Sequence, residues 1–340
     1  MEVQILPPAP LMPDESLIAL VREARPHLDR SGPESEAWLG RLEEEHDALH
    51  ALVEELFATD MDAAGEVVAI LWPFWWQRGH MHEGSEFLER AAVGDGPSRA
   101  ALLKGIGTIA FRQGEVDAAE RAFKERLPLV EAHGTPRDLV DALTDLSRIA
   151  LRRGEFAEVR RYAEHAYEAA EGLDEEAVRL PLHMRAAAAR MEGRYDEARA
   201  LYLQTRALNE RMKNELGVAG EDHNLVHVAL HIGDREEAGR RFRASSEWSF
   251  ANDNAYLRPY AFLDAGVLAL YDGDLERACL LVASAQRIFE ETNSIPDPDD
   301  RVELDVAVAR LRDELADRFE DLWAEGRKLT GEDGEALARA

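Results

Sequence analysis

The sequence is poor in several things, and each shortage removes a class of function. It has a single cysteine, Cys279, which excludes an internal disulfide framework and any zinc site built on several thiolates. That cysteine follows the small Ala278 just after a repeated turn, the setting of a thiol that packs between helices. Lysine occurs only at 104, 124, 213 and 328, so nearly all positive charge is arginine. Positive charge as a whole is short: 40 Lys and Arg stand against 68 Asp and Glu, a formal net charge of -28. Such a surface repels nucleic acid and anionic membranes over most of its extent. No apolar run of about 18 residues is long enough to span a bilayer, and no basic start leads into an apolar stretch as a secretory signal does. The expected location is the cytoplasm. No G-x-x-x-x-G-K-[ST] phosphate loop occurs, and nothing is basic enough to read DNA.

What is present is a repeat. Gly114 in RQGEVDAAERAF, Gly154 in RRGEFAEVRRYA, Gly193 in MEGRYDEARALY, Gly233 in HIGDREEAGRRF and Gly273 in YDGDLERACLLV share one local pattern, with a divergent first copy at Gly79 in QRGHMHEGSEFL. The spacings are 35, 40, 39, 40 and 40 residues. A period in this range marks stacked supersecondary units, each of which buries its apolar face only against the next. Four residues before the glycine stand Ala110, Ala150, Ala189, Ala229 and Ala269, and five after it Ala119, Val159, Ala198, Ala238 and Ala278. Small residues at both places let two helices approach closely. Eight before the glycine and nine after it, apolar residues such as Leu146 and Phe242 supply the ridges of the seam. The glycine ends the first helix in a conformation costly to other residues, and acidic residues after it favour the next helix start.

These features resemble the tetratricopeptide repeat, in its small-residue positions, the aromatic of its second helix and its turn glycine. The resemblance implies an all-α, right-handed superhelical solenoid of about six helix pairs, with N-terminal helices and a C-terminal capping helix. The period exceeds the usual length, so GDGPSR, HGTPRD and NELGVAGED are expected to be extra loop residues. The expected organisation is a flexible proline-rich leader at 1–14, capping helices at 15–60, six repeats at 61–292, and a hinge, capping helix and tail at 293–340. The hinge is TNSIPDPDD, and the closing helix is expected from about Asp300 to Gly326. The phrases WLGRLEEEHDALHAL, ILWPFWWQRGHMHEGSEFLERA and LWAEGRKLTGEDGEALA further resemble the tetratricopeptide tail of bacterial signal-transduction ATPases and maltotriose-regulator-like transcriptional regulators. Such regulators also carry a nucleotide-binding module, so the chain reads as a sensor tail standing alone. His46, His80 and the cluster Trp72, Phe74, Trp75 and Trp76 fall in these phrases and read as structural.

In this family the first helix of each pair lines the concave groove. A stripe ten, six and two residues before each glycine drifts slowly around a helix. It holds Lys104, Thr108 and Arg112; Thr144, Arg148 and Arg152; His183, Ala187 and Met191; His223, His227 and His231; and Leu263, Val267 and Tyr271. With Arg190 beside it, the stripe is basic and histidine-rich on an acidic chain. Forked guanidinium donors suit carboxylate and phosphate. The ligand expected is an acidic peptide, a chain terminus or a phosphorylated small molecule, with apolar contacts from Phe111, Leu151 and Tyr271. Pairing of the arginines with Asp141, Asp145 and Glu115 is the plainer alternative. His223 and His227 are candidate ligands of a divalent metal, completed by Glu221 or Asp222, although three imidazoles over two helical turns span about 12 Å. Arg185 is an oddity: its position elsewhere holds Leu, Ile or Ala, so either the fourth repeat shifts register or its guanidinium turns toward the groove.

The leading expectation is a non-catalytic scaffold or sensor that captures a protein, an acidic peptide or an anionic small effector, without direct nucleic-acid or membrane binding and with no cofactor. The alternative is an enzyme or metal-binding sensor using His183, His223, His227 and His231. Self-association into a homodimer through an exposed end or the Trp-rich first repeat is a third.

Overall fold

The computed structural model describes residues 15–28, 33–94, 96–252, 254, 256–292 and 295–340. The leader expected at 1–14 lies outside these. Three helices come first: α1 (Glu15–Leu28), α2 (Pro33–Glu44) and α3 (His46–Thr59). Six helix pairs follow, each hinged on one of the six glycines: α4 (Met61–Arg78) with α5 (Met81–Ala91), α6 (Arg99–Arg112) with α7 (Val116–His133), α8 (Pro136–Arg152) with α9 (Phe156–Ala169), α10 (Glu175–Met191) with α11 (Tyr195–Arg211), α12 (Glu215–His231) with α13 (Arg235–Ala251), and α14 (Arg258–Asp272) with α15 (Leu275–Glu291). The chain ends in α16 (Pro298–Leu315), a single 3-10 turn at Ala316–Arg318, α17 (Phe319–Gly326) and α18 (Gly331–Arg339). No strand occurs among the described residues. The chain divides into two compact units, Met1–Thr135 and Pro136–Ala340.

The repeated glycine and alanine are two halves of one helix stop. Every turn glycine, from Gly79 to Gly273, has a φ between 71° and 84°, a left-handed conformation that a side chain disfavours. In five of the turns the residue after the glycine donates its N–H to the carbonyl of the alanine four residues before it: Glu115 to Ala110, Glu155 to Ala150, Arg194 to Ala189, Asp234 to Ala229 and Asp274 to Ala269, at 2.8 to 2.9 Å. This six-to-one bond satisfies a carbonyl left open at the helix end. Asp234 and Asp274 then accept from Glu237 N and Arg277 N at 2.9 and 3.2 Å, capping the second helix.

GDGPSR joins α5 to α6 and lies outside a helix up to Arg99, as expected over its described residues, but in the later pairs the long period is taken up by longer helices. α8, α10, α11, α12, α13 and α15 are each 17 residues, and the stretch 214–222, expected as a loop, is Asn214 and the first two turns of α12. Asn214 caps it by accepting from Gly217 N at 3.1 Å. Seven residues before the turn glycine the helices touch most closely. A Cβ added at Gly266 would stand 2.6 Å from Val282 and 3.2 Å from its backbone nitrogen. The buried core there joins Phe262, Leu263, Cys279, Val282, Leu311 and Phe319. Cys279 is enclosed in it, and burial pushes its thiol up to about 11, as expected of a packing residue.

Two expectations for the C-terminus need correction. The closing helix is not continuous: Ala316 adopts a φ of 47°, and the chain folds back so that α17 packs on α15, with Gly326 against Leu280. The segment read as a hinge is pinned rather than free over its described part. Asp297 N donates to Tyr260 Oη at 3.2 Å, and Tyr256 Oη donates to Asp297 Oδ2 at 3.1 Å; residues 293 and 294 lie outside the described set. Arg185 also resolves: its Nε lies 3.1 Å from Glu164 Oε2 and its guanidinium over the Tyr167 ring, so it turns back onto α9 and not toward a groove.

The seam predicts a specific loss. Gly266→Val overpacks the α14–α15 contact and is expected to cost about 1–3 kcal/mol or more, read as a lowered urea midpoint with an unchanged m-value.

Candidate functional site

The second unit brings the first helices of successive pairs side by side, and their stripe meets the N-terminus of α16. Four-residue spacing puts His223, His227 and His231 on one face of α12. Arg190 comes from α10 and Asp264 from α14. Pro298 suits the first turn of α16, where no backbone donor is needed, and the turns that follow deliver Asp299, Asp300 and Glu303 to the stripe.

Arg190 is the centre of the contact and is 3% exposed. Its Nη1 donates to Asn224 Oδ1, Asp299 Oδ2 and Asp300 Oδ1, each at 3.1 Å, and its Nη2 reaches Glu303 Oε1 at 3.3 Å. His223 Nδ1 lies 2.9 Å from Asp264 Oδ2, and its Nε2 3.2 Å from Asp300 Oδ2. His227 Nε2 is 2.8 Å from Asp264 Oδ1. His231, at the exposed end, places Nε2 2.8 Å from Glu303 Oε1 and stacks on Tyr195 with ring centroids 4.4 Å apart. His183 is half-buried and pairs with Glu221 at 3.0 Å.

Charge makes this cluster interdependent. Burial disfavours the cation of His223, but Asp264 and Asp300 outweigh it and hold the imidazole well above its ordinary range. Burial likewise opposes the anions of Asp264 and Asp300, yet His223 holds both low, with Arg190 adding its charge at Asp300. Glu303 is drawn down to about 2 against burial, chiefly by its bond from His231 and the nearby His227 and Arg190. Asp299 goes the other way, to about 6, because burial and the Asp300 charge exceed the help from Arg190. Removing one partner from a buried set of this kind typically costs about 3–5 kcal/mol, since the rest are left uncompensated.

The predicted site residues are only partly gathered here. Arg190, His223, His227 and His231 come together, with His183 in the same row. The acids that meet Arg190, His223 and His231 include Asp299, Asp300 and Glu303 of this chain's own α16. Glu221 and Asp222 do not complete a shell with the α12 histidines. Asp222 is about 100° round the helix from His223 and accepts from Arg206 and Arg241, both at 2.7 Å, while Glu221 goes to His183. The carboxylate that joins His223 and His227 is Asp264. Thr144 is buried and its hydroxyl donates to Val140 O at 2.7 Å, and Leu151 is buried in a core cluster, so neither faces a ligand. Arg148 is exposed and Arg152 half-buried on α8. Tyr271 is exposed beneath Arg235. Lys104, Thr108 and Phe111 are half-buried on α6 of the first unit, and Arg112 is exposed with its guanidinium 5.6 Å from the centre of the Trp76 ring.

Asp264, Asp299, Asp300 and Glu303 were not among the residues singled out from sequence. Two signals point to them. Asp264 is a lone acid in the apolar run AFLDAGVLAL, and PDPDDRVE is the densest acidic stretch beside prolines.

The raised His223 value has a definite sign. Its contribution is fully present below the unfolded value of about 6.5 and is lost as pH rises through the folded one. Asp264, Asp300 and Glu303 act oppositely, stabilising above about pH 4 and losing that contribution on acidification toward their folded values. Asp299, raised, offsets part of this between about pH 4 and 6. Urea midpoints are therefore expected to decline from neutral pH into the alkaline range, and His223→Gln to flatten that limb.

No protein-family model matches the chain, and no curated protein sequence does. Solved structures do. A Rap protein complexed with competence and sporulation factor aligns at 14% identity and a TM-score of 0.58, covering 94% of this chain and 96% of that one. Aspartyl phosphate phosphatase F from Bacillus subtilis aligns at 12% identity and a TM-score of 0.52, covering 97% of this chain and 94% of that one. The TPR-like repeats of a Podospora anserina kinesin light chain reach 19% identity and a TM-score of 0.46 over 58% of this chain and 97% of that one. Likeness at such identities is likeness of fold, and the fold is an all-α repeat of tetratricopeptide type.

Proposed function

We propose that the protein is a non-catalytic regulatory scaffold whose α8–α10–α12–α14 stripe holds an acidic protein segment, with α16 as its resident occupant. The observation that carries this reading is the seating of Asp299, Asp300 and Glu303 on the buried Arg190. It defines the chemistry the stripe accepts: carboxylates at adjacent positions and one turn further along a helix start. Arg148, exposed, and Arg152, half-buried, lie on α8 of the same stripe and add positive charge to it. The Rap protein of like fold was solved complexed with another factor, and the resemblance to regulator sensor tails supports a regulatory role.

A labelled peptide of residues 297–306, DPDDRVELDV, tests this by fluorescence anisotropy on the full chain. Binding is expected to be weak in the wild type, where α16 competes. It is expected to tighten at least tenfold in Asp299→Asn/Asp300→Asn/Glu303→Gln and to fall on adding Arg148→Glu and Arg152→Glu. A peptide that binds neither form, with helix content intact by circular dichroism, would sink the reading.

A divalent cation is the second occupant to weigh, because one ligand atom each from His223, His227 and Asp264 lies within 4.8 Å of the others, all three residues buried. It would serve a metal-binding sensor or a metal-dependent activity. Zinc that raises the melting temperature of the wild type and not of His227→Ala favours this reading; an equal response in both rules it out.

A further inference from the structure

The first unit contains a second cluster of imidazoles and carboxylates, at the meeting of α2, α3 and α5. One ligand atom each from His46, His80 and Glu83 lies within 4.8 Å of the others. His46 opens α3, His80 precedes α5 directly after Gly79, and Glu83 sits in the first turn of α5. His46 Nε2 is 2.8 Å from Glu83 Oε2, and His50, one turn along α3, places Nδ1 3.0 Å from Glu83 Oε1. Three side chains, from the start of α3, the residue before α5 and its first turn, thus converge, with His50 on the other oxygen of Glu83.

We propose that this cluster is a binding site for a divalent transition-metal ion of the zinc class, ligated by His46, His80 and Glu83 with a fourth position open to water. Two imidazoles and a carboxylate are a common zinc set, and among first-row ions nitrogen-rich donors favour the later metals over magnesium or calcium. Donor atoms around a tetrahedral ion at about 2.0–2.1 Å stand about 3.3 Å apart, so separations within 4.8 Å close by about 1.5 Å at most to take one. The surroundings are those of a supported site. His80 Nε2 lies 3.1 Å from both oxygens of Glu43 on α2, an acid placed to orient the imidazole. Phe74 packs against both rings, at 6.0 Å from His46 and 5.7 Å from His80. The side chains of His46, His80 and Glu83 are 23%, 25% and 18% exposed, leaving an ion a way in.

The repeat itself does not call for this histidine. Position by position, the residue after the turn glycine is Glu115, Glu155, Arg194, Asp234 and Asp274 in the other pairs, and only the first copy has histidine there. By contrast, glutamate at the place of Glu83 recurs as Glu158, Glu197 and Glu237. The departure from the pattern is the residue that completes the set. The inference stands apart from the acidic-segment reading, which concerns other residues.

Isothermal titration of the chelator-treated full chain with zinc, alongside visible absorption of the cobalt(II)-loaded protein, tests it. The expected result is one equivalent of zinc that persists in His227→Ala and binds at least tenfold more weakly in His80→Ala and in Glu83→Gln, with the cobalt bands of a four-coordinate site lost in both. Circular dichroism checks folding, and Glu83→Gln, which keeps the side chain's size, carries the test where His80→Ala does not fold. The proposal is overturned by absence of stoichiometric uptake, by equal affinity in wild type, His80→Ala and Glu83→Gln, or by a loss confined to His227→Ala.

Discussion

The second unit depends on one guanidinium that has been taken out of water. Arg190 cannot shed its charge, so its burial is tolerable only while carboxylates stay within reach. Asp299, Asp300 and Glu303 meet that need, but they are themselves buried anions in excess of a single cation. The excess is balanced by His223, held well above its ordinary range, and by Asp299 holding its proton more tightly. Position, charge and protonation are thus one problem, and α16 is held where its acids meet Arg190, His223 and His231.

The helix pairs provide the frame for this, and they do so with local means. In five of the six pairs the stop is a left-handed glycine and a carbonyl contributed by an alanine four residues earlier, so two residues of the sequence pattern set where a helix ends. Close approach at positions such as Gly266 then fixes the two helices of a pair against each other, and each pair packs on the next. The consequence is that residues on the first helices of different repeats, about forty positions apart in sequence, lie in one row. His183, His223 and Asp264 share a row for this reason.

Much of this was readable in the chain. The period, the turn glycines and the small-residue seam report interactions between residues close in sequence, and the four-residue spacing of His223, His227 and His231 reports a helix face. The occupant of that face was not readable, because its acids lie more than a hundred residues beyond Arg190 and no periodicity connects them. Arg185 was misjudged for a related reason: a position that is apolar in other repeats admits an arginine when Glu164 and Tyr167 of the preceding pair receive it. Helices that absorb the extra length of the period, rather than loops, reflect Asn214 acting as a cap where GVAG suggested an irregular stretch. In the first unit, His46 and His80 looked like parts of two separate phrases, and only the packing of α3 against the start of α5 shows them as neighbours.

Helix α16 also changes how the repeats behave as a chain in time. In an array whose units touch only their neighbours, contacts are short in sequence and an end unit can open without the rest. The bond from Arg190 to Asp299 closes a loop across 109 positions, an ordering that costs on the order of 4 kcal/mol in chain entropy. A contact of that range forms late, once the intervening pairs are in place. After it forms, α10, α12 and α14 cannot open one at a time without each breaking its own contact with α16, and a stack of separable units becomes a clasped block that opens as a whole.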